Sequence, residues 1–249
     1  MVGSLWAGSE AIRLVSMTQR RVGVLTIGQS PRPDFLAQFR ERLTRVEILE
    51  AGALDNLSAA EVPEGCTGTY PLRTRFRDGS TVTVEEGFVE PLLQQALDRL
   101  EAEEMVDASC LLCAGSFPGL SGTRPLVKPF STASVVLHSL GLRQIGIICP
   151  FESQRAASEK KWRDAGFDIS LCVHSPEDLA EACARGCLPT MRGIDAIVLD
   201  YVGHSKGLVS ALQGSYTMPV LDLGDLAVAL AVSIIQRSDT DLVQCRSGE

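Results

Sequence analysis

Arg21-Val22-Gly23-Val24-Leu25-Thr26-Ile27-Gly28-Gln29-Ser30 is a β-branched apolar run that stops on glycine and turns polar. Apolar residues at consecutive positions read as a strand covered on both faces. Pro31 and Pro33 follow, and Phe35, Leu36 and Phe39 recur at helical spacing over residues 34–43. The strand therefore feeds a helix. The same plan returns in the second half. Gln144-Ile145-Gly146-Ile147-Ile148-Cys149 ends at Pro150 and leads into a helix expected over residues 153–165. Short apolar strands alternating with amphipathic helices imply parallel sheets flanked by helices. We therefore expect an α/β protein made of two similar lobes with mainly parallel sheets.

Working outward, further strands are predicted at residues 46–51, 108–113, 167–173, 196–200 and 219–222. Helices are predicted at 90–104, 133–139, 176–185, 205–213 and 226–236. Residues 69–84 differ in character. Tyr70, Leu72, Thr74 and Phe76 alternate with polar or charged neighbours, and Asp78-Gly79 precedes Thr81-Val82-Thr83-Val84. That is a β-hairpin signal, read as an insertion decorating the first lobe. The expected division is an N-terminal extension at 1–20, a first lobe at 21–130, a second lobe at 131–225, and a closing helix and tail at 226–249. The closing helix is free to return to the first lobe. Met17, just before the first strand, is a candidate native start.

The chain has 249 residues, 45% hydrophobic and 22% charged, which excludes disordered and fibrous classes. Its net charge of -8 and 5% aromatic content argue against nucleic acid as a partner. The start lacks the basic region and long apolar core of a signal peptide. The late apolar run at 221–235 contains Asp222, Asp225 and Ser233 and is too short to span a bilayer. Eight cysteines sit at 66, 110, 113, 149, 172, 183, 187 and 245. They are scattered through apolar runs, which suggests a reducing, cytoplasmic setting and buried thiols. Cys110 and Cys113 point to opposite faces of a strand, and Cys183 and Cys187 have no second pair nearby, so no metal site is expected. No dinucleotide fingerprint or phosphate loop is present. A homodimer is left open.

Four strand ends carry small polar loops. They are Thr26-Ile27-Gly28-Gln29-Ser30, Cys113-Ala114-Gly115-Ser116, Cys149-Pro150-Phe151-Glu152-Ser153 and Asp200-Tyr201-Val202-Gly203-His204-Ser205. In open α/β sheets ligands bind outside the carboxyl ends of strands. Backbone N–H groups and hydroxyls at helix starts suit a carboxylate or phosphate. Thr26, Gln29, Ser30, Ser116, Ser153 and Ser205, with the amides of Ala114, Gly115 and Gly203, are candidates; the alternative is an ordinary strand-to-helix turn. Cys113 is sharper. At a strand end beside backbone amides, its thiol pKa is expected to fall, making it a base or nucleophile. The alternative is a buried structural cysteine. His204 reads as an acid/base or carboxylate contact, or else as an exposed turn histidine. Asp200 reads as a turn-orienting acceptor of backbone N–H groups and Trp162 as a helix–sheet contact. Arg73 and Arg75 share one face of the hairpin, placed to reach an anionic substrate or else left to solvent.

Val24-Leu25-Thr26-Ile27-Gly28-Gln29-Ser30-Pro31-Arg32, Leu111-Leu112-Cys113-Ala114-Gly115-Ser116-Phe117-Pro118, Ile147-Ile148-Cys149-Pro150 with Gln154, Lys161-Trp162 with Ala165-Gly166, and Val198-Leu199-Asp200-Tyr201-Val202-Gly203-His204-Ser205 together resemble the AroM family. The resemblance spans residues 21–236. It implies the architecture of the aspartate/glutamate/hydantoin racemase superfamily, with the site between two lobes and no cofactor. In that superfamily two facing cysteines remove and return a proton on a carboxylate substrate. Cys113 matches the first-lobe cysteine. The second would fall at Tyr201, where this sequence departs from the pattern, and a phenol of ordinary pKa near 10 is a poor base at neutral pH. The resemblance thus implies a racemase-, isomerase- or lyase-like enzyme on a small carboxylate or amino-acid-like ligand. Cys113, Tyr201 and His204 would be its chemical groups. The other outcome is a binding or regulatory protein that lost its second thiol.

Overall fold

The computed structural model describes residues 19–43, 45–63 and 70–236. The expectations for the N-terminal 18 residues, Met17 included, for the tail after 236, and for Cys66 and Cys245 lie outside the described residues.

The first lobe opens with β1 (Arg20–Thr26), α1 (Pro33–Arg42) and β2 (Val46–Gly52). The hairpin β3 (Pro71–Arg75) and β4 (Thr81–Glu85) follows, then α2 (Glu86–Ala102), β5 (Ala108–Leu111) and β6 (Leu126–Val127). The second lobe has α3 (Pro129–Ser139), β7 (Gln144–Cys149), α4 (Arg155–Asp164), β8 (Asp168–Val173), α5 (Pro176–Arg185), β9 (Ala196–Leu199), α6 (Lys206–Ser215), β10 (Val220–Asp222) and α7 (Leu223–Ile235). One sheet runs β2-β1-β5-β6 and the other β10-β9-β7-β8, and all their pairings are parallel. Read from the opposite edge, the second sheet runs β8-β7-β9-β10. Counted within each lobe, both sheets then have the order second-first-third-fourth. The fold is therefore one α/β plan used twice.

That order places a topological switch between the first and third strands of each sheet, where neighbouring connections leave in opposite directions. The loops after β1, β5, β7 and β9 are the four that stand there.

Local chemistry sets the helix limits. Pro33 and Pro176 sit in the first turns of α1 and α5, where a missing N–H costs nothing. Ser175 caps α5 by accepting from the Asp178 N–H at 3.1 Å, and Gly186 ends it in the left-handed region with φ 66°. Asp222 caps α7 by accepting from the Asp225 N–H at 2.8 Å, so α7 starts directly where β10 stops, ahead of the expected 226. Two-residue β6 was not predicted, being too short to show a period.

One core runs through both lobes. Val22, Val24, Cys110 and Val127 of the first sheet meet Ala227, Val228, Ala231 and Ile235 of α7 and Ala133 and Leu137 of α3. The closing helix thus covers the first-lobe sheet. The opposite face of that sheet packs on α2 and the hairpin through Leu25, Leu93, Leu97, Leu111 and Leu72. Each such fully buried aliphatic side chain contributes about 1.5–3 kcal/mol. Trp162 is completely buried, with Phe130 edge-on at 4.9 Å and Phe167 at 5.7 Å, as a helix–sheet contact requires. Among the described residues no helix is long and apolar enough to cross a membrane. Cys110, Cys113, Cys149, Cys172, Cys183 and Cys187 are free thiols.

Candidate active site

A cavity of 240 Å³ lies where the four loops meet the hairpin. Thr26 and Ile27 line it from the β1 loop, Cys113 and Ala114 from the β5 loop, Phe151 and Gln154 from the β7 loop, and Asp200, Tyr201 and Val202 from the β9 loop. The hairpin was expected as decoration. It is inserted in the first lobe as expected and is also a wall of the cavity, contributing Leu72, Arg73, Thr74, Arg75 and Thr81, with Tyr70 just before it.

Cys113 sits two residues past β5, and its strand alternation places it in the hairpin-side core while Cys110 lies in the inter-lobe core. The pair therefore does face opposite ways. The expected lowering of its pKa is corrected. Burial pushes the Cys113 thiol up to about 12. The Gly115 N–H, 3.5 Å from Sγ, and the Lys161 ammonium pull the other way, while Glu86 and Asp200 add to the rise. One long hydrogen bond does not offset loss of water around a sulfur anion. At neutral pH the Cys113 thiol keeps its proton. Tyr201, on the facing loop, is also raised by burial.

Behind the cavity lies a charged centre that sequence reasoning missed. Lys161, on α4, is 7% exposed and donates to Asp200 Oδ1 at 2.7 Å, Ala114 O at 2.7 Å and Tyr70 Oη at 3.0 Å. The Ser158 hydroxyl donates to the other Asp200 oxygen. Asp200 therefore orients Lys161 rather than its own turn, correcting the expected role. Phe130, Trp162 and Tyr70 box the ammonium at 4.8–5.5 Å from their ring centres. Lys161 and Asp200 belong to the second lobe, Ala114 and Tyr70 to the first, so one cation ties the lobes together across the site.

The hairpin is docked by backbone contacts. The Gln29 N–H donates to Arg75 O at 3.1 Å, and Gln154 Nε2 donates to Pro71 O at 2.8 Å. Gly28 makes the first approach possible, since a Cβ there would stand 2.4 Å from both Arg75 O and Thr74 Oγ1. Arg73 and Arg75, two apart on one strand face, are exposed to solvent as expected and also reach the cavity lining. The Arg73 guanidinium lies 5.4 Å from the centre of the Phe151 ring. Neither arginine side chain has a hydrogen bond or ion pair among the described residues. Arg32 also lines the cavity but pairs with Asp34 at 2.7 Å.

The family model described as AroM protein matches residues 22–236. The chain belongs to the AroM family. Comparison with curated proteins returns no match. Solved structures similar to this AroM chain include allantoin racemase from Klebsiella pneumoniae, 18% identical, covering 86% of this chain and 87% of that one with a TM-score of 0.57. A variant of maleate isomerase from Pseudomonas putida S16, solved with maleate, is 11% identical, covers 86% and 91%, and has a TM-score of 0.60. Unliganded arylmalonate decarboxylase is 13% identical, covers 88% and 94%, and has a TM-score of 0.57. At these identities the likeness is one of fold, that of the aspartate/glutamate racemases.

Of the AroM chain's sequence-selected residues, Thr26, Cys113, Ala114 and Tyr201 come together around the cavity. The others are occupied elsewhere. Gln29 Nε2 donates to Leu54 O and Leu57 O, and its Oε1 accepts from the Arg77 N–H. Ser30 donates to Asp55 at 2.8 Å and Ser116 to Glu86 at 2.8 Å. Ser153 lines a neighbouring hollow, with Arg73 and Thr83. Gly115 packs against the Phe117 ring, and Gly203, at φ 127°, packs against Phe35 and Tyr201. Ser205 caps α6, accepting from the Leu208 N–H. His204 is buried rather than exposed, its Nδ1 pairs with Asp222 Oδ2 at 2.8 Å at the start of α7, and its ring lies 5.2 Å from that of Tyr201, behind the cavity lining. Among the described residues no cluster of metal-binding side chains occurs.

Proposed function

We propose that this AroM protein is a lyase-like enzyme that protonates a carbanion made from a small carboxylate, with Cys113 as the proton donor. The carrying observation is a cavity-lining thiol whose pKa is held at about 12. Tyr201, across the cavity, is raised as well. A symmetric racemase needs one of its two facing groups to be a base at rest, and neither Cys113 nor Tyr201 is one. A reaction that makes its carbanion by losing carbon dioxide needs only the donor. The carbon–carbon bond breaks, its electron pair enters the enediolate, and carbon dioxide leaves. The Cys113 S–H proton then goes to carbon, and water returns a proton to the thiolate. Racemase- or isomerase-like chemistry is the alternative on the same thiol.

The 240 Å³ volume is below the roughly 300–1,000 Å³ of pockets for drug-sized ligands, so the substrate is small. Arg73 and Arg75 bring positive charge to a lining that also carries Glu177, within a chain of net charge -8. They favour a second anionic group on that carboxylate.

The test is a panel of malonate-type diacids, other small dicarboxylates and amino acids in deuterated water at neutral pH. Carbon dioxide release and deuterium at the α-carbon are followed by NMR. We expect release with one solvent deuteron incorporated, and Cys113→Ser to slow it by about 10²–10⁴-fold. Saturable binding with neither release nor exchange would instead favour a non-catalytic carboxylate sensor, which the lack of a resting base would suit.

A further inference from the structure

We propose that Tyr70 is a second catalytic residue, whose hydroxyl donates a hydrogen bond to the substrate oxygen that becomes an enediolate oxygen. This rests on the carboxylate reading above. Three acceptors surround Lys161 Nζ: Asp200 Oδ1 at 2.7 Å, Ala114 O at 2.7 Å and Tyr70 Oη at 3.0 Å. An ammonium has three hydrogens, so its donors are spent. Tyr70 Oη is therefore an acceptor in that contact, and its own hydrogen must go elsewhere. Among the described residues it meets no acceptor. Tyr70 is 7% exposed and lines the cavity beside Cys113. A buried hydroxyl hydrogen without an acceptor is costly, and a ligand oxygen in the cavity would satisfy it.

The lysine does more than occupy the oxygen. A cation donating to Oη polarises the O–H and strengthens the bond it offers in turn. The same ammonium holds Ala114 O, the carbonyl next to Cys113. One group thus sets the relative position of the proton-giving thiol and the charge-stabilising hydroxyl. Burial, with Asp200 and Cys113 adding to it, raises the Tyr70 pKa well above the ordinary phenol range. Tyr70 therefore keeps its proton throughout, while Cys113 gives its proton to carbon and recovers one from water. A fixed donor aimed at developing charge is typically worth about 10²–10³ in rate.

The chain has three tyrosines, Tyr70, Tyr201 and Tyr216, so ring-carbon labelling of tyrosine gives few NMR signals to assign. The probes are malonate and oxalate, the latter flat and dianionic like an enediolate. Calorimetry measures binding and NMR reports contact. We expect the Tyr70 Cζ signal to move at saturation with oxalate. Tyr70→Phe should weaken oxalate about 10- to 100-fold and malonate less than about threefold, since transition-state mimics feel such donors most. In turnover it should lower kcat with KM nearly unchanged. Tight oxalate binding with a stationary Tyr70 signal overturns the proposal and leaves the carboxylate reading standing. Equal weakening of both anions also overturns it, as a merely structural role. Failure of both anions to bind the wild-type protein overturns the carboxylate reading and this proposal together.

Discussion

Lys161→Met removes the ammonium that the Asp200 carboxylate faces at 2.7 Å, where the two side chains are 4% and 1% exposed. Methionine keeps an unbranched stem of similar length and still packs among Phe130, Trp162 and Tyr70. The change is therefore mainly one of charge. Asp200 keeps the Ser158 hydroxyl but loses its counter-ion while its side chain stays almost wholly buried. Breaking a buried ion pair from one side costs about 3–5 kcal/mol. In a chain of this size each kcal/mol moves the thermal midpoint by about 2–4 °C, so Tm should fall by roughly 6–20 °C. Lys161→Met combined with Asp200→Leu removes both charges. Replacing a whole buried pair by apolar side chains is often neutral, so the double variant should recover most of the loss. The assay is circular dichroism melting at pH 7, with urea denaturation in parallel. A single variant that loses under about 1 kcal/mol would behave like a surface pair and refute the reasoning. A double variant no more stable than the single one would do the same.

Cys113, with its pKa held at about 12 against an ordinary 9.0, should stay unalkylated by iodoacetamide at neutral pH while exposed Cys187 reacts; first labelling at Cys113 would contradict this. Because the folded-state value is the raised one, the stability tied to this thiol is whole below about pH 9 and declines as pH climbs toward 12. Cys113→Ala should accordingly flatten the alkaline loss of Tm, as melts at pH 8, 9 and 10 would show. Gly28→Ala forces a methyl within 2.4 Å of Arg75 O; it should cost about 1–3 kcal/mol and weaken anion binding as the hairpin shifts, and an unchanged urea midpoint would oppose it. Arg75→Met should weaken malonate about tenfold while sparing a monocarboxylate such as acetate, with the gap closing at high salt; equal effects on both would sink the arginine's role as a subsite.

The β-strand-then-small-residue pattern made the four loops legible, because buried strands and their switch points have a plain compositional mark. What those loops do was harder to read. Gln29 and Ser30 look like ligand groups, yet their polar atoms satisfy Leu54, Leu57 and Asp55. A loop bent this sharply needs its own hydrogen-bond partners first. Lys160 and Lys161 are neighbours of one type, and only one is buried. The available signal was period. Ser158, Lys161 and Trp162 stand at i, i+3 and i+4 on one helix face, so a lysine on the tryptophan's side should have raised suspicion of a buried partner. The alternation at Arg73 and Arg75 gave the correct strand face, but nothing local said that this face looks into a cavity. For Cys113 the sequence supports nearby amides, whereas the three-dimensional loss of water outweighs them.

The closing helix has a consequence for how the molecule is made. The first sheet ends at Val127, yet the helix that roofs one of its faces runs from Leu223 to Ile235. A ribosome releases the N-terminal part first and adds about 5–20 residues each second. Val22, Val24, Cys110 and Val127 therefore wait several seconds on the nascent chain before their cover arrives. The second lobe closes its outer face with α5 and α6, around Leu179, Val209 and Leu212, before α7 has been synthesised. The half of the protein that is born first is completed last, and a newly made chain cut short before α7 would present an open apolar sheet to chaperones.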